Sequence, residues 1–412
     1  MNPAIPNPLL ESTSIVPKPY APAIVVIGFN RPHSILRLLN SISRARFTSD
    51  TDVPLIISID FSDTDRGRET KLVAEEFDWT HGPKRLIFHD SNLGLRKHVL
   101  TCGDLSSDYG SIIMLEDDLT VGPEFYNFTT SALAFADKKT KIAGISLYTH
   151  QSNFIRRLPF IPVHDGYDNF YLQIASSWGQ AWTARQWTSF RNWYDSLSTD
   201  IITADANIPP KAIKKVHKTV VGWPDCSWLK FFITYVVLHD KYFLYPRASH
   251  TTNHSCSGTN VLAASHVWQV PLSVRDYTYK FSALSESLAV YDSYFEIDSK
   301  KLQQLIPELS EYDIEVDLYG SKDLSECSKE FVVTSRRCDS PLKSFSIGLK
   351  PIELNLQCQC DADAGMLSLA KSDSIFHKSK LNYNDRSVVE YFFGALSFKQ
   401  LAKNLIRYFF AK

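Results

Sequence analysis

The 412-residue chain has no apolar stretch long enough to cross a bilayer; its longest, Phe231 to Leu238, is broken by Thr234. It has no excess of either charge: 44 basic against 45 acidic residues leave a net charge of −1, which excludes a generally basic nucleic-acid binder. No Gly-x-Gly-x-x-Gly follows the first apolar run, where Gly28-Phe29-Asn30-Arg31-Pro32 carries one glycine, and no Gly-Lys-Ser/Thr loop occurs. A nicotinamide dehydrogenase and a P-loop ATPase lack their phosphate cradles here. Cysteine is sparse and odd in number: seven, of which only Cys358-Gln-Cys360 is close-spaced, with no second pair at zinc-ligand spacing. Such thiols read as the reduced cysteines of a cytosol. With 16 Gly, 20 Pro and 13% aromatic residues, the chain is neither collagen-like nor mainly disordered.

Four apolar runs punctuate the first half. Ile24–Phe29, Leu55–Ile59, Arg85–Phe88 and Ser111–Leu115 alternate with helical patterns, the clearest being Ile35, Leu38, Leu39 and Ile42 behind Pro32. The alternation predicts βαβ units and an α/β fold with a mainly parallel sheet flanked by helices. Residues 1–20, with five prolines and no continuous apolar core, read as a flexible tail and not as a secretory leader. Residues 21–140 then form a Rossmann-like half, and 141–280, holding seven of the eight tryptophans, an aromatic-rich half. Residues 281–412 form an extension ending in an amphipathic helix over 388–412, with Phe398, Leu401, Leu405 and Phe409 on one stripe and Lys399, Lys403 and Arg407 on another. That helix either docks on its own domain or lies on an anionic membrane surface.

Ligands of parallel sheets gather beyond the carboxyl ends of the strands, so the polar residues there are the candidates. The sharpest is Glu116-Asp117-Asp118, directly after an apolar strand. Three adjacent acids repel one another unless a hard divalent cation or a set of donors offsets them; the other reading is an acidic helix cap before Pro123. Asp60 closes the second strand and either receives a ribose or base or caps a turn. Asn92-Leu93-Gly94-Leu95-Arg96 follows the third, a glycine and a cation at a helix start, suited to an anion or to a plain turn.

The set Phe29-Asn30-Arg31-Pro32, Asp60, Asn92-x-Gly94-x-Arg96 and Leu115-Glu116-Asp117-Asp118 resembles GT-A glycosyltransferases. More narrowly it resembles the Golgi N-acetylglucosaminyltransferases that begin complex N-glycans, and their bacterial relatives. Ser177-Trp178-Gly179-Gln180-Ala181-Trp182, Trp223-Pro224-Asp225-Cys226-Ser227-Trp228 and the segments Pro246–His250 and His254–Gly258 extend the likeness over about 21–260. The resemblance implies a nucleotide-sugar donor, UDP-linked first, and a glycan or lipid-linked acceptor. It implies Asp118 as direct ligand of Mn2+ or Mg2+, with Glu116 and Asp117 on ribose or donor sugar. Asn30, Arg31, Asp60, Asn92, Arg96 and Trp178 join the nucleotide-sugar site, and His250 and His254 touch the diphosphate or the metal. Asp225 is the candidate base, its other reading an N-cap for a helix Cys226–His239; one base facing the leaving group implies inversion. The family has two adjacent acids where Asp225 stands alone, and a membrane anchor that is not seen here, which points to a cytoplasmic bacterial enzyme of polysaccharide synthesis. Competing readings are a non-catalytic carbohydrate-binding protein and a sugar-nucleotidyltransferase, the latter wanting a Gly-rich basic loop that Gly28–Pro32 does not supply.

Overall fold

The computed structural model describes residues 21–47, 52–197, 215–254, 268–275, 277–325, 327–361 and 366–375. The tail 1–20, the loop Ser255–Gly258 and the helix expected over 388–412 lie outside the described residues.

The first half follows the apolar runs. Strands β1 (Ala23–Gly28), β2 (Leu55–Ile59), β3 (Lys84–Phe88) and β4 (Ser111–Glu116) alternate with helices α1 (Pro32–Ser43), α2 (Asp65–Glu76), α3 (Gly94–Asp104) and the short α4 (Ser106–Tyr109). Side chains of β1 divide by parity, as a strand buried on both faces requires. Ile24 and Val26 enter one core with Ile35, Leu38, Leu39 and Ile42 of α1, while Ala23, Val25 and Ile27 enter the other with Val99 and Cys102 of α3. Pro32 opens α1, where its missing N–H costs nothing. Thr64 caps α2, its Oγ1 accepting from Gly67 N at 3.1 Å.

Next come β5 (Leu119–Val121), α5 (Phe125–Ala136), β6 (Ile142–Ser146), the two-residue pair β7 (Ser152–Asn153) and β8 (Leu158–Pro159), β9 (Asn169–Leu172), β10 (Gln180–Thr183) and α6 (Ala184–Asp195). Helices Lys218–Val221 and Leu229–Leu238, then β11 (Tyr242–Pro246), β12 (Thr251–Asn253) and β13 (Val290–Tyr291), complete this part. Nine strands join one sheet in the order β13-β9-β11-β6-β10-β4-β1-β2-β3. It is parallel through β4-β1-β2-β3, and β10 is antiparallel to both β4 and β6. This is the α/β architecture expected. The sheet draws strands from both sides of residue 140, and β13 reaches it from beyond residue 280.

The rest of the chain builds a five-stranded sheet from β14 (Ile314–Asp317), β15 (Phe331–Thr334), β16 (Lys343–Phe345), β17 (Gln359–Cys360) and β18 (Leu367–Lys371), in the order β14-β15-β18-β16-β17. Val316, Val333, Phe345 and Leu369 share a core with Tyr291, Phe295 and the aromatic half, so the two sheets are packed together. No helix among the described residues is long and apolar enough to cross a membrane.

Candidate active site

Strands β1 to β4 and the parallel pair β6 and β11 end at one edge of the sheet. Strands running the other way begin there: Gln180 of β10 lies opposite Met114 and Ser146, and Asn169 of β9 opposite Pro246. The segments carrying Asn30 and Arg31, Asp60, Asn92, the acidic trio, Trp178, His250 and His254 therefore rise over the same edge.

The trio does not cap a helix. Glu116 ends β4, and Asp117 and Asp118 form the turn into β5, well before α5 begins at Phe125. Arg31, at the mouth of α1, takes Asp117 with two groups: Nε donates to Oδ2 at 3.1 Å and Nη2 donates to Oδ1. The same Nη2 stands 4.0 Å from Asp118 Oδ2. Asp118 Oδ1 is buried and has no hydrogen-bond partner among the described residues. Burial first, and the charges of Asp118 and Asp117 second, push Glu116 well above the usual carboxylate range. Burial likewise lifts Asp117 to about 6, against the opposing pull of Arg31. The site thus concentrates negative charge that one guanidinium offsets only in part.

A divalent cation fits that donor set. Among the described residues no three His, Cys, Asp or Glu side chains converge on one point; Asp117 is turned onto Arg31 and leaves Asp118 as the available carboxylate. Magnesium-type ions are commonly held by one or two carboxylates plus substrate phosphates, which needs no such convergence. The buried, unpartnered Oδ1 of Asp118 is the observation that favours a ligand role.

Asp60 is otherwise engaged. Its Oδ1 accepts from Phe61 N and Leu93 N, each at 2.8 Å, and its Oδ2 from Gly94 N at 3.0 Å. The carboxylate therefore ties the end of β2 to the start of α3, the turn-capping alternative. Gly94, at φ +73°, takes a backbone shape that side chains resist, and Asn92 Nδ2 donates to Phe61 O at 2.9 Å across the same junction. The Arg96 guanidinium lies 5.4 Å above the Phe231 ring, on the aromatic half.

Trp178 is half-buried. Its ring meets Tyr148 edge-on at 4.7 Å and Trp268 at 5.1 Å, and its carbonyl accepts from Thr251 Oγ1 at 2.6 Å. Asp225 precedes the helix Leu229–Leu238 without capping it, so the expected cap on a helix from Cys226 is not formed. It is 50% exposed and accepts from Lys230 Nζ at 3.0 Å, while Lys230, itself buried, also donates to Trp223 O at 3.1 Å. Lys230 was legible only as a lone charge in the run Leu229–Leu238.

The two histidines part company. His254 N donates to Asp118 O at 2.9 Å, and its Nε2 lies 2.7 Å from Thr120 Oγ1, beside the trio. Burial, then Arg37, lowers its pKa, and Asp118 partly opposes them. His250 is 1% exposed and stacked on Phe128 at 4.4 Å, with burial lowering its pKa to about 3. It is a core ring, packed between Phe128 and Tyr279.

No protein-family model and no curated protein matches this chain. Solved structures resemble it at low identity. The mannosyltransferase PcManGT from Pyrobaculum calidifontis, in complex with GDP-Man and Mn2+, aligns over 45% of this chain and 51% of its own at 12% identity and TM-score 0.30. S. aureus TarS 1–349 in complex with UDP-GlcNAc aligns over 59% and 61% at 12% identity and TM-score 0.35. GalNAc-T7 with UDP, GalNAc and Mn2+ aligns over 55% and 43% at 13% identity and TM-score 0.37. The chain spans between 43% and 61% of the length of these proteins.

Proposed function

We propose that this chain is a metal-dependent glycosyltransferase of the GT-A type, moving a sugar from a nucleotide-sugar donor to a glycan or lipid-linked acceptor. The reading is supported above all by the acidic trio at the end of β4, where Asp118 keeps a buried oxygen unpartnered beside the Arg31–Asp117 pair. A Mn2+ or Mg2+ ion bound there supplies Lewis-acid neutralisation of a diphosphate leaving group. Asp118 would hold it, with His254 at its flank. Glu116 and Asp117 border ribose or donor sugar, and Arg31 fixes Asp117 in place. Asn30 and Arg96 remain donor contacts in this reading, while Asp60 and Asn92 act through the shape of the β2–α3 junction. Asp225, half-exposed and steadied by Lys230, would take the acceptor proton, and a single base implies inversion. UDP is the first donor nucleotide to test, and cytoplasmic bacterial polysaccharide synthesis the setting this chemistry would serve.

The deciding experiment is calorimetric titration of UDP, GDP and CMP into the protein, with Mn2+ and with chelator, repeated on Asp118→Ala. Metal-dependent binding of one nucleotide, weakened at least about tenfold in the variant, is expected. A folded protein that binds none of the three under either condition would overturn the reading in favour of a carbohydrate-binding protein.

A further inference from the structure

The outer stripe of α1 is basic. At about 100° per residue, His33, Arg37, Asn40 and Arg44 fall within an arc of about 60°, opposite the buried Ile35, Leu38, Leu39 and Ile42. A solvated polar face is the ordinary use of such a stripe. Here it lines a cleft of about 420 Å³, to which Thr120 of β5 also contributes. Strand β5 is fastened beside the helix, where Val121 N donates to Ser41 Oγ at 3.1 Å. Among the described residues no Asp or Glu lines that cleft. Arg31 and Arg46, which flank the same helix, are each paired with an acid, Asp117 and Glu124. His33 and Arg44 have no such partner among the described residues.

The cleft borders the acidic edge without including it. Thr120 Oγ1 lies 2.7 Å from His254 Nε2, and His254 N donates to Asp118 O at 2.9 Å. Burial raises the Asp117 pKa and lowers that of His254; Arg37 pulls both downward, so its charge reaches that edge. Arg37 and Arg44 stand two helical turns, about 10 Å, apart, a gap that two long side chains can close on one ion. Two guanidinium forks and an imidazole offer more N–H donors than the two oxygens of a carboxylate can take. A phosphate has the oxygens to use them. A phosphomonoester also carries a charge of about −1.5 to −2 near neutral pH, against the single charge of a diester. The volume lies within the range of about 300–1,000 Å³ usual for small-molecule sites.

We propose that the cleft between α1 and β5 binds a phosphomonoester of monosaccharide size, its phosphate held by Arg37, Arg44 and His33, with Asn40 and Thr120 beside its hydroxyls. No metal takes part, so this site stands or falls apart from the glycosyltransferase reading.

The test uses the full chain dialysed free of divalent metal, as wild type, Arg37→Gln, Arg44→Gln and the remote control Arg85→Gln on β3. Phosphorus NMR titrations with glucose 6-phosphate, inorganic phosphate and dimethyl phosphate measure the affinities, and thermal unfolding of the same samples shows that each variant is folded. Arg44 is exposed at the end of α1, so Arg44→Gln keeps the test open should Arg37→Gln fail to fold. Glucose 6-phosphate is expected to bind at least as tightly as inorganic phosphate and about tenfold more tightly than dimethyl phosphate. Arg37→Gln and Arg44→Gln should each weaken it about tenfold, the loss of one charge-assisted contact, while Arg85→Gln stays near wild type. The proposal is overturned if glucose 6-phosphate does not bind the folded wild type, or if Arg44→Gln binds it like wild type. Equal weakening by Arg85→Gln would overturn it by showing only a general charge effect. Tighter binding of inorganic phosphate, or equal binding of dimethyl phosphate, would also overturn it, since the cleft would then not select a sugar-sized monoester.

Discussion

Arg31 closes on Asp117 from 86 residues away, with Nε and Nη2 on the two carboxylate oxygens, and holds that acid off its neighbour Asp118. The pair lets three consecutive acids fold onto the end of one strand. Its removal strands a carboxylate that is 4% exposed. Arg31→Met is expected to destabilise the fold by roughly 3 kcal/mol, since a buried partner is left uncompensated. Arg31→Lys should recover only part of this, because a point charge cannot span both oxygens. Urea denaturation of the two variants checks both statements.

Asp60→Ala should act on stability before it acts on ligands. Three backbone N–H groups lose their acceptor at the β2–α3 junction, which is expected to cost about 3 kcal/mol. Asp60→Asn keeps one carbonyl oxygen and should cost less. If instead Asp60→Ala denatures at the wild-type urea concentration while UDP affinity collapses, Asp60 serves the nucleotide and not the turn.

Asp225→Asn separates binding from chemistry. Loss of a general base typically slows a reaction by about a hundredfold to ten-thousandfold. Sugar transfer should fall on that scale while UDP and Mn2+ affinity stays near wild type, and the Lys230 contact can persist through the amide oxygen. Transfer at wild-type rate would assign the base elsewhere.

Glu353 gives a pH signature remote from the site. The side chain is 2% exposed, one oxygen has no hydrogen-bond partner among the described residues, and burial raises its pKa from 4.5 to about 7. Between those values the unfolded chain has released this proton and the folded chain still holds it. Stability from this group is therefore fullest below pH 4.5 and falls as pH rises toward 7, at about 1.4 kcal/mol per unit. Glu353→Gln removes the dependence, so its advantage over wild type should grow across that window and level off above it. Paired urea titrations at three pH values read the difference.

What the sequence made legible was local. Apolar runs located β1, β2, β3 and β4 to within a residue or so, because β1, β2 and β4 are buried and continuous and β3 keeps the apolar stretch Leu86–Phe88 behind its basic start. The acidic trio stood out because adjacent like charges are costly wherever they lie. The long-range partnerships were not legible: nothing in the chain marks Arg31 for Asp117, or separates the stacked, buried His250 from the site-flanking His254. Strands β9, β10 and β13 run four residues or fewer, too short to show a period, and their places depend on pairing with distant segments. For Asp225 the alternative to a base, a cap on a helix Cys226–His239, is not formed: the helix starts at Leu229, and the acid accepts from the buried Lys230.

The nine-stranded sheet has two borders, and they are defended differently. At one, β3 carries Lys84 and Arg85, charges that discourage a foreign strand from docking. At the other, β9 is screened by β13, with Ala289 O accepting from Tyr171 N at 2.9 Å and Tyr291 O from Gln173 N at 3.1 Å. Two residues from the far part of the chain thus act as a guard rail. A fragment ending before Ala289 would bare the apolar row Asn169–Leu172, whose open N–H and C=O groups would recruit the same row of a second molecule, so such a fragment would be sticky even with its candidate catalytic edge intact.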